Sequence, residues 1–384
     1  MRTMLTGAAF GFALTAATAM LPAVAAATDL TVVTAGDQNM VDYINDYLAP
    51  RFEKENPGVH VRAVGTGPGD AGSQKILEKL DAEAKAGKES FDIDVAVVHE
   101  KAAGKLVADT LVAPYRSEIA TGGLATRDTV KRALGADVDG YVMPMFHSQT
   151  AIAYNPALVT APPKSYDDVV AFAKAHPKAF GYNGIKGGMS GVAFVVGWIY
   201  AYGGDADTLM KGPYDKAEAA KWTPAFEKLK AFNADVTMTP GNAGTLDMLN
   251  RGEIAMGPVW VDMFYTWQAD GRLSPDLKLS LIAPGMPGQP MYYVIPAKTP
   301  NKVLAEKFIA LATSPEVQAD GIVKRFNWYP GIDAPAVQAK LDEATWAKLF
   351  TDISPAELAT LGKPFPIAPY FTDILENSER QAMN

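Results

Sequence analysis

The chain has 384 residues, 48% of them hydrophobic and 20% charged, the composition of a globular protein with apolar material for two cores. Its 35 basic and 43 acidic residues leave a net charge of −8, which argues against a general nucleic-acid-binding surface. The absence of cysteine excludes disulfides, thiolate zinc sites, a cysteine nucleophile and a lipid-modified N-terminal cysteine.

At the N-terminus, Arg2 precedes an alanine-rich apolar run from Met4 to about Leu21, and Pro22 leads into the small-residue pattern Ala23-Val24-Ala25-Ala26-Ala27. This is the form of a secretory signal peptide over residues 1–26, cleaved after Ala25, Ala26 or Ala27. The mature chain is therefore expected in the periplasm, exported and not lipid-anchored. No later segment is long and apolar enough to span a bilayer.

Leu30 to Val33 reads as a buried strand, followed by the turn Gly36-Asp37-Gln38-Asn39. Met40, Ile44, Leu48 and Phe52 then share one helical face, with Pro50 expected to kink or divide that helix. Val59 to Val64 makes a second strand, and a glycine-rich turn leads into a helix that turns Ile76, Leu77, Leu80 and Ala84 inward. Ile93 to Val98 is a third strand, ending in His99-Glu100. Strands alternating with helices predict βαβ units on a parallel sheet.

The segment GYVMPMFHSQTAIAYNPALV is expected to cross between domains, extended over Tyr141 to Met145 and again over Thr150 to Tyr154, with a polar turn between. Ser165 with Asp168 has the form of a capping box. A second α/β set follows to about Ile282, including the strand EIAMGPVW, and Trp198, Tyr200 and Tyr202 read as helix core. LIAPGMPGQPMYYVIPAKTP suits a return crossing. The next helix places Leu304, Phe308 and Leu311 inward, and Ser314-Pro315 opens another.

The segments ENPGVHV, DVAVVHE…LVADTLVAPY, AIAYNPALV…PPKSYDDVVAFAKAHP, RGEIAMGPVW and YVIPAKTPNKVLAEKFIALATSPEVQ stand in a telling order and spacing. Over about Leu30 to Pro330 the chain resembles the bacterial extracellular solute-binding proteins of ABC importers, most closely the group that binds sugars, polyamines, thiamine and ferric iron. The resemblance implies a two-lobed α/β fold of the type II periplasmic-binding-protein kind, with crossover hinge strands and a ligand cleft closed by hinge motion. The expected divisions are 27–145 for the first part of lobe 1, 146–284 for lobe 2, and 285–384 for the return to lobe 1 and the C-terminal helices. The implied partners are a small solute and, transiently, an inner-membrane ABC permease complex. No nucleic acid, cofactor or metal is expected, and the protein reads as a monomer.

Gly67-Pro68-Gly69-Asp70-Ala71-Gly72 matches GxGxxG, and Asp92 and Asp94 lie about as far on as the ribose-binding acid of a dinucleotide site. The glycines follow the second strand instead of the first, Pro68 stiffens the turn, and an exported protein meets little dinucleotide. The competing readings are a turn that needs positive φ and a close helix approach, or a cleft-lining loop that offers N–H groups and Asp70 to a solute.

Ligands in open α/β sheets bind beyond the carboxyl ends of the strands. That rule selects Asp37, Gln38, Asn39, Gly69, Asp70, Glu100, His147, Ser148, Ser190, Trp260, Asp262, Tyr292 and Trp328 as candidate ligand-binding residues. The strand-end segments hold no arginine or lysine, which disfavours an anion; Lys186, close to Met189, stands against that. A sugar or polyol, stacked on Trp260 or Trp328, is placed first, and an organic cation such as a polyamine or a thiamine-like ring second. For iron, Tyr292 and Tyr293 would point to opposite faces of one strand.

The rival class is an exported hydrolase. The four histidines, His60, His99, His147 and His176, form no HExxH, and GGMSGVA departs from GxSxG at Val192. No catalytic residue is assigned.

Overall fold

A computed structural model describes residues 27–67 and 69–383, so the expected signal peptide and Pro68 lie outside the described residues. Three strands, β1 (Thr28–Thr34), β2 (Val59–Gly65) and β3 (Val95–His99), pair in parallel with β1 in the middle. Helix Gly69–Lys85 links β2 to β3, and its inner face is Ile76, Leu77 and Leu80, with Glu83 also buried. A parallel pair needs such a crossover.

Three further strands are β4 (Met143–Tyr154), β5 (Met256–Trp260) and β6 (Met286–Pro296). The sheet runs in the order β5-β4-β6-β3-β1-β2. β6 pairs antiparallel with β3 through Met291 to Val294 and with β4 through Gly288 to Tyr293. β4 continues past β6 and pairs with β5 through Thr150 to Tyr154. Two long antiparallel strands thus run through both halves of a two-lobed α/β fold. The second half has its own aromatic core, in which Trp198 is fully buried against Phe194 and Phe232. The last helix, Ala368–Gln381, packs on helices Met189–Tyr202 and Thr223–Asn233.

Three local expectations need correction. No turn interrupts the first crossing: β4 is one strand of 12 residues, because His147 and Ser148 pair with Pro290 and Gln289 of β6. Gln149 also donates from Nε2 to the Met286 carbonyl at 2.7 Å. Pro50 does not break its helix. The irregularity is the π-helical stretch Tyr43–Leu48, and Pro50 falls in the first turn of Ala49–Glu55, where a missing N–H costs little. Helix Lys302–Ala312 is rotated by one position, so that Ala305, Phe308, Ile309 and Ala312 are buried while Leu304 and Leu311 are only partly covered. Among the described residues no helix is long and apolar enough to cross a membrane.

Candidate functional site

The loops after β1 and β2 are locked together. Gly36 N–H donates to the Gly67 carbonyl at 2.9 Å, and Gly67 and Gly69 take φ of +99° and +64°. A Cβ on Gly72 would stand 1.9 Å from the Gly67 oxygen, so only glycine lets the helix start this close to the turn. The glycine pattern is accounted for by this turn and helix approach. The acids that completed the dinucleotide pattern are engaged elsewhere. Asp92 pairs with Lys79 and Lys88, and Asp94 accepts from Thr31 N–H and from Thr299.

Four carboxylates converge around these loops. Asp37 occupies the N-cap position of Gln38–Asp42 without making a capping hydrogen bond. Its carboxyl is solvent-accessible yet crowded by protein, and that desolvation raises its pKa against the lowering effect of His99. Asp70 begins helix Gly69–Lys85. Glu100, 3% exposed, begins the helix after β3, and burial pushes its carboxyl up to about 8, with the Asp70 charge adding to the rise and the Tyr292 hydroxyl opposing it. Asp262, 9% exposed, comes from the other half, and burial pushes it up to about 6. Ser148 donates to Asp262, which lowers the value, and the Asp37 charge raises it. Behind the acids, Ser73 Oγ accepts from His99 N–H and lies 3.0 Å from His99 Nδ1. Burial lowers the pKa of His99 while Asp70 and Asp37 raise it.

The other residues predicted from sequence fall into distinct groups. Tyr292 is fully buried; its hydroxyl donates to the Thr129 carbonyl and lies 3.5 Å from Glu100 Oε1. Tyr293 is also fully buried, its hydroxyl without a described partner. Gly69 sits against Met189, with 3.9 Å between a virtual Cβ and Met189 Cγ, so the first half meets the second here. His147 has a pKa well below the usual value, first through burial and then through Arg127. Trp260 caps helix Val261–Ala269 and is 8% exposed.

Four are less available. Gln38 turns back to Asp42 on its own helix, at 2.9 Å. Asn39 is half-buried with Oδ1 unpartnered. Ser190 is fully buried in a hydrogen-bonded cluster with Asn183 and Asn242. The structure does not bring Trp328 to an open face: its ring is sandwiched between Phe326 at 4.3 Å and Phe146 at 4.6 Å, and its Nε1 donates to the Asp262 carbonyl. Trp328 thereby positions the Asp262 backbone.

Sequence reasoning missed Ser73, Thr129 and Arg127. Ser73 lies on the inward face of its helix, a polar residue among apolar ones, and that was the available signal. Arg127 and Thr129 lie in an irregular segment whose pattern points nowhere.

The model of the family described as bacterial extracellular solute-binding protein matches residues 47–348. A gamma-aminobutyric acid-binding protein of Pseudomonas aeruginosa is 32% identical over 94 residues, and the match spans 24% of this chain and a quarter (25%) of that relative's length. Among solved structures, the spermidine/putrescine substrate-binding protein PotD of Streptococcus pneumoniae superposes with a TM-score of 0.69 at 16% identity, over 93% of this chain and 98% of its own. An ABC transporter solute-binding protein of Thermotoga lettingae bound to alpha-D-tagatose superposes with a TM-score of 0.67 at 16% identity, over 92% of this chain and 95% of its own. At such identities these two show the fold alone.

Proposed function

The chain belongs to the bacterial extracellular solute-binding protein family, and from that premise we propose that it is the exported, periplasmic solute-capturing component of an ABC importer, with a cleft made for a small organic cation. The observation that carries this reading is the convergence of Asp37, Asp70, Glu100 and Asp262 from both halves, with three of the four raised in pKa chiefly by burial. Carboxylates gathered where burial penalises their charge are costly to ionise together, and a bound cation offsets that cost. Trp260, the N-cap residue of the helix that carries Asp262, supplies a ring for a cationic head.

A sugar or polyol, placed first on the sequence, would hydrogen-bond the same oxygens without neutralising them. The cation is the better fit to this charge arrangement. Amines also figure in the names of two of the proteins similar to this chain. In the proposed cycle the solute bridges Asp37 and Asp70 of one half to Asp262 of the other. Binding energy drives closure only as far as both halves contact the solute in the closed state. The closed monomer then docks on a membrane permease. The hydrolase alternative finds its nearest pair in Ser73 and His99, but Ser73 is 1% exposed and its hydroxyl is already engaged by His99 N–H and Nδ1.

The test is a thermal-shift panel of linear amines, sugars and polyols, followed by calorimetric titration of the best ligand into wild type, Trp260→Ala and Asp262→Ala. A ligand at 100 times its dissociation constant stabilises the fold by about 2.7 kcal/mol, well within reach of a melt. Amines are expected to shift the melt, and both variants to bind at least roughly tenfold more weakly with their ligand-free melts retained. A shift with polyols and silence with every amine would overturn the cation assignment.

A further inference from the structure

The halves also meet away from their long crossing strands, on the chain's last passage between them. Gly362–Lys363 pairs in parallel with Met286–Pro287 at the start of β6. β6 begins against helix Met189–Tyr202 of the second half and goes on to pair with β3 of the first, so a segment parallel to it heads the same way. Tyr200 of that helix donates to the Pro364 carbonyl at 2.9 Å and holds the segment to the second half. Just beyond, at Ile367 and Ala368, the segment reaches the first half.

There a hairpin, Arg132–Ala133 with Ala136–Asp137, packs on helix Glu100–Ala108, where a Cβ on Gly104 would stand 2.8 Å from Ala136 Cβ. Its tip, Leu134-Gly135, takes φ of +47° and +85°, and for Leu134 that is a conformation few side chains adopt. Ala368 N–H donates to the Leu134 carbonyl at 2.8 Å, while Ile367 N–H donates to the Leu209 carbonyl of the second half at 3.0 Å. Amides at a helix start lack partners within the helix, and here each half supplies one. The Ile367 side chain lies between two glycines. A Cβ on Gly135 would stand 2.8 Å from Ile367 Cγ2, and one on Gly212 would stand 3.1 Å from Ile367 Cδ1. A side chain at Gly135 would therefore push the isoleucine off its seat.

Helix Ala368–Gln381, which Ile367 precedes, packs on the second half and moves with it. Hinge motion turns the halves about the crossing strands β4 and β6. The Leu134–Ala368 bond and the Gly135 seat lie off those strands, so they last only while the halves keep this angle. In the same arrangement Gly69 stands against Met189 across the cleft. We propose that Ile367–Ala368, seated on the Leu134-Gly135 tip, is a latch that favours the closed arrangement before any solute binds. A contact made in one of two arrangements shifts their populations by its own free energy, and apparent affinity follows the population competent to bind. The latch rests on the receptor reading for the hinge alone and holds for any class of solute.

The chain has no cysteine, so Glu78→Cys and Asp247→Cys, at exposed positions on helices Gly69–Lys85 and Gly241–Asn250 of opposite halves, give a clean pair of spin labels. The measurement is the distance distribution by double electron–electron resonance, on protein refolded to remove any bound solute. It is made on the labelled parent and with Ile367→Ala, Gly135→Ala or Gly58→Ala added. Gly58 has φ of +87° and nothing within 4 Å of a Cβ, so its variant carries the backbone strain of Gly135→Ala without touching the latch. Ile367 is half-buried, and Ile367→Ala is expected to retain a cooperative melt. Both latch variants should move the distribution several ångströms to longer distance, while Gly58→Ala superposes on the parent. A distribution that Ile367→Ala leaves unchanged or shortens, or that Gly58→Ala moves as far as Gly135→Ala does, would overturn the latch. The receptor reading would stand in that case, since no solute takes part.

Discussion

Two polar clusters meet where the halves come together, and they are built on opposite principles. At the start of helix Met189–Tyr202, Asn242 Oδ1 accepts from Asn183 Nδ2 at 2.9 Å and from Ser190 Oγ at 2.8 Å, with Ser190 N–H at 3.3 Å. That group satisfies itself. Across from it, the Asp70 charge raises the proton affinity of Glu100 and the Asp37 charge raises that of Asp262, and among the described residues Glu100 Oε2 and Asn39 Oδ1 have no partner. A satisfied network stabilises the fold, and an unsatisfied one of like charges is held at a cost that a ligand can offset. The difference separates a structural knot from a candidate binding site better than residue type does, since both clusters are polar and next to glycine.

The sharpest way to break this comparison is Asn242→Ala. It removes the acceptor shared by three donors and should cost about 2–4 kcal/mol in a denaturant melt, with solute affinity changed far less than stability. A larger loss of affinity than of stability would move the knot into the site.

Glu100→Gln should act in the opposite sense. Glu100 has a folded-state pKa of about 8, above its ordinary value near 4.5. Its stabilising contribution is therefore complete below about pH 4.5 and is lost as pH rises towards 8. In wild type, melts should fall across that window, and the glutamine variant should remove roughly 1–3 kcal/mol of that slope. An unchanged slope would mean that Glu100 is not the buried acid it is taken for.

The smallest expected effect is on binding and belongs to Asp262. With its carboxyl at about 6, the anion that attracts an ammonium forms as pH rises through that value. Amine affinity should increase by up to about tenfold per pH unit below 6 and level off above 7, with a proton released on binding in the lower range. Asp262→Asn should flatten the profile.

Most of the scaffold was legible because strand and helix periodicities are local. Thr28–Thr34, Val59–Gly65 and Met256–Trp260 fall on the apolar runs that announce them, and Ser165 caps its helix by accepting from Asp168 N–H at 3.1 Å. The polar run through His147 to Gln149 misled, because polar residues in sequence suggest a turn while their backbone pairs with β6, a partner more than 130 residues away. Trp328 misled for a related reason. Its glycine- and proline-bounded loop looks exposed, and only the fold places Phe146 and Phe326 on its two faces.

By itself, then, the sequence determined the alternating α/β elements, the extended return crossing and the acidic residues at the strand ends, since periodicity, turn chemistry and residue type are properties of neighbours in the chain. Only the tertiary structure decided which of those residues share a dielectric environment. Burial around Glu100 and Asp262 and the covering of Trp328 are sums over many distant atoms. Desolvation and Coulomb energy depend on separation in space, and separation along the chain does not report it.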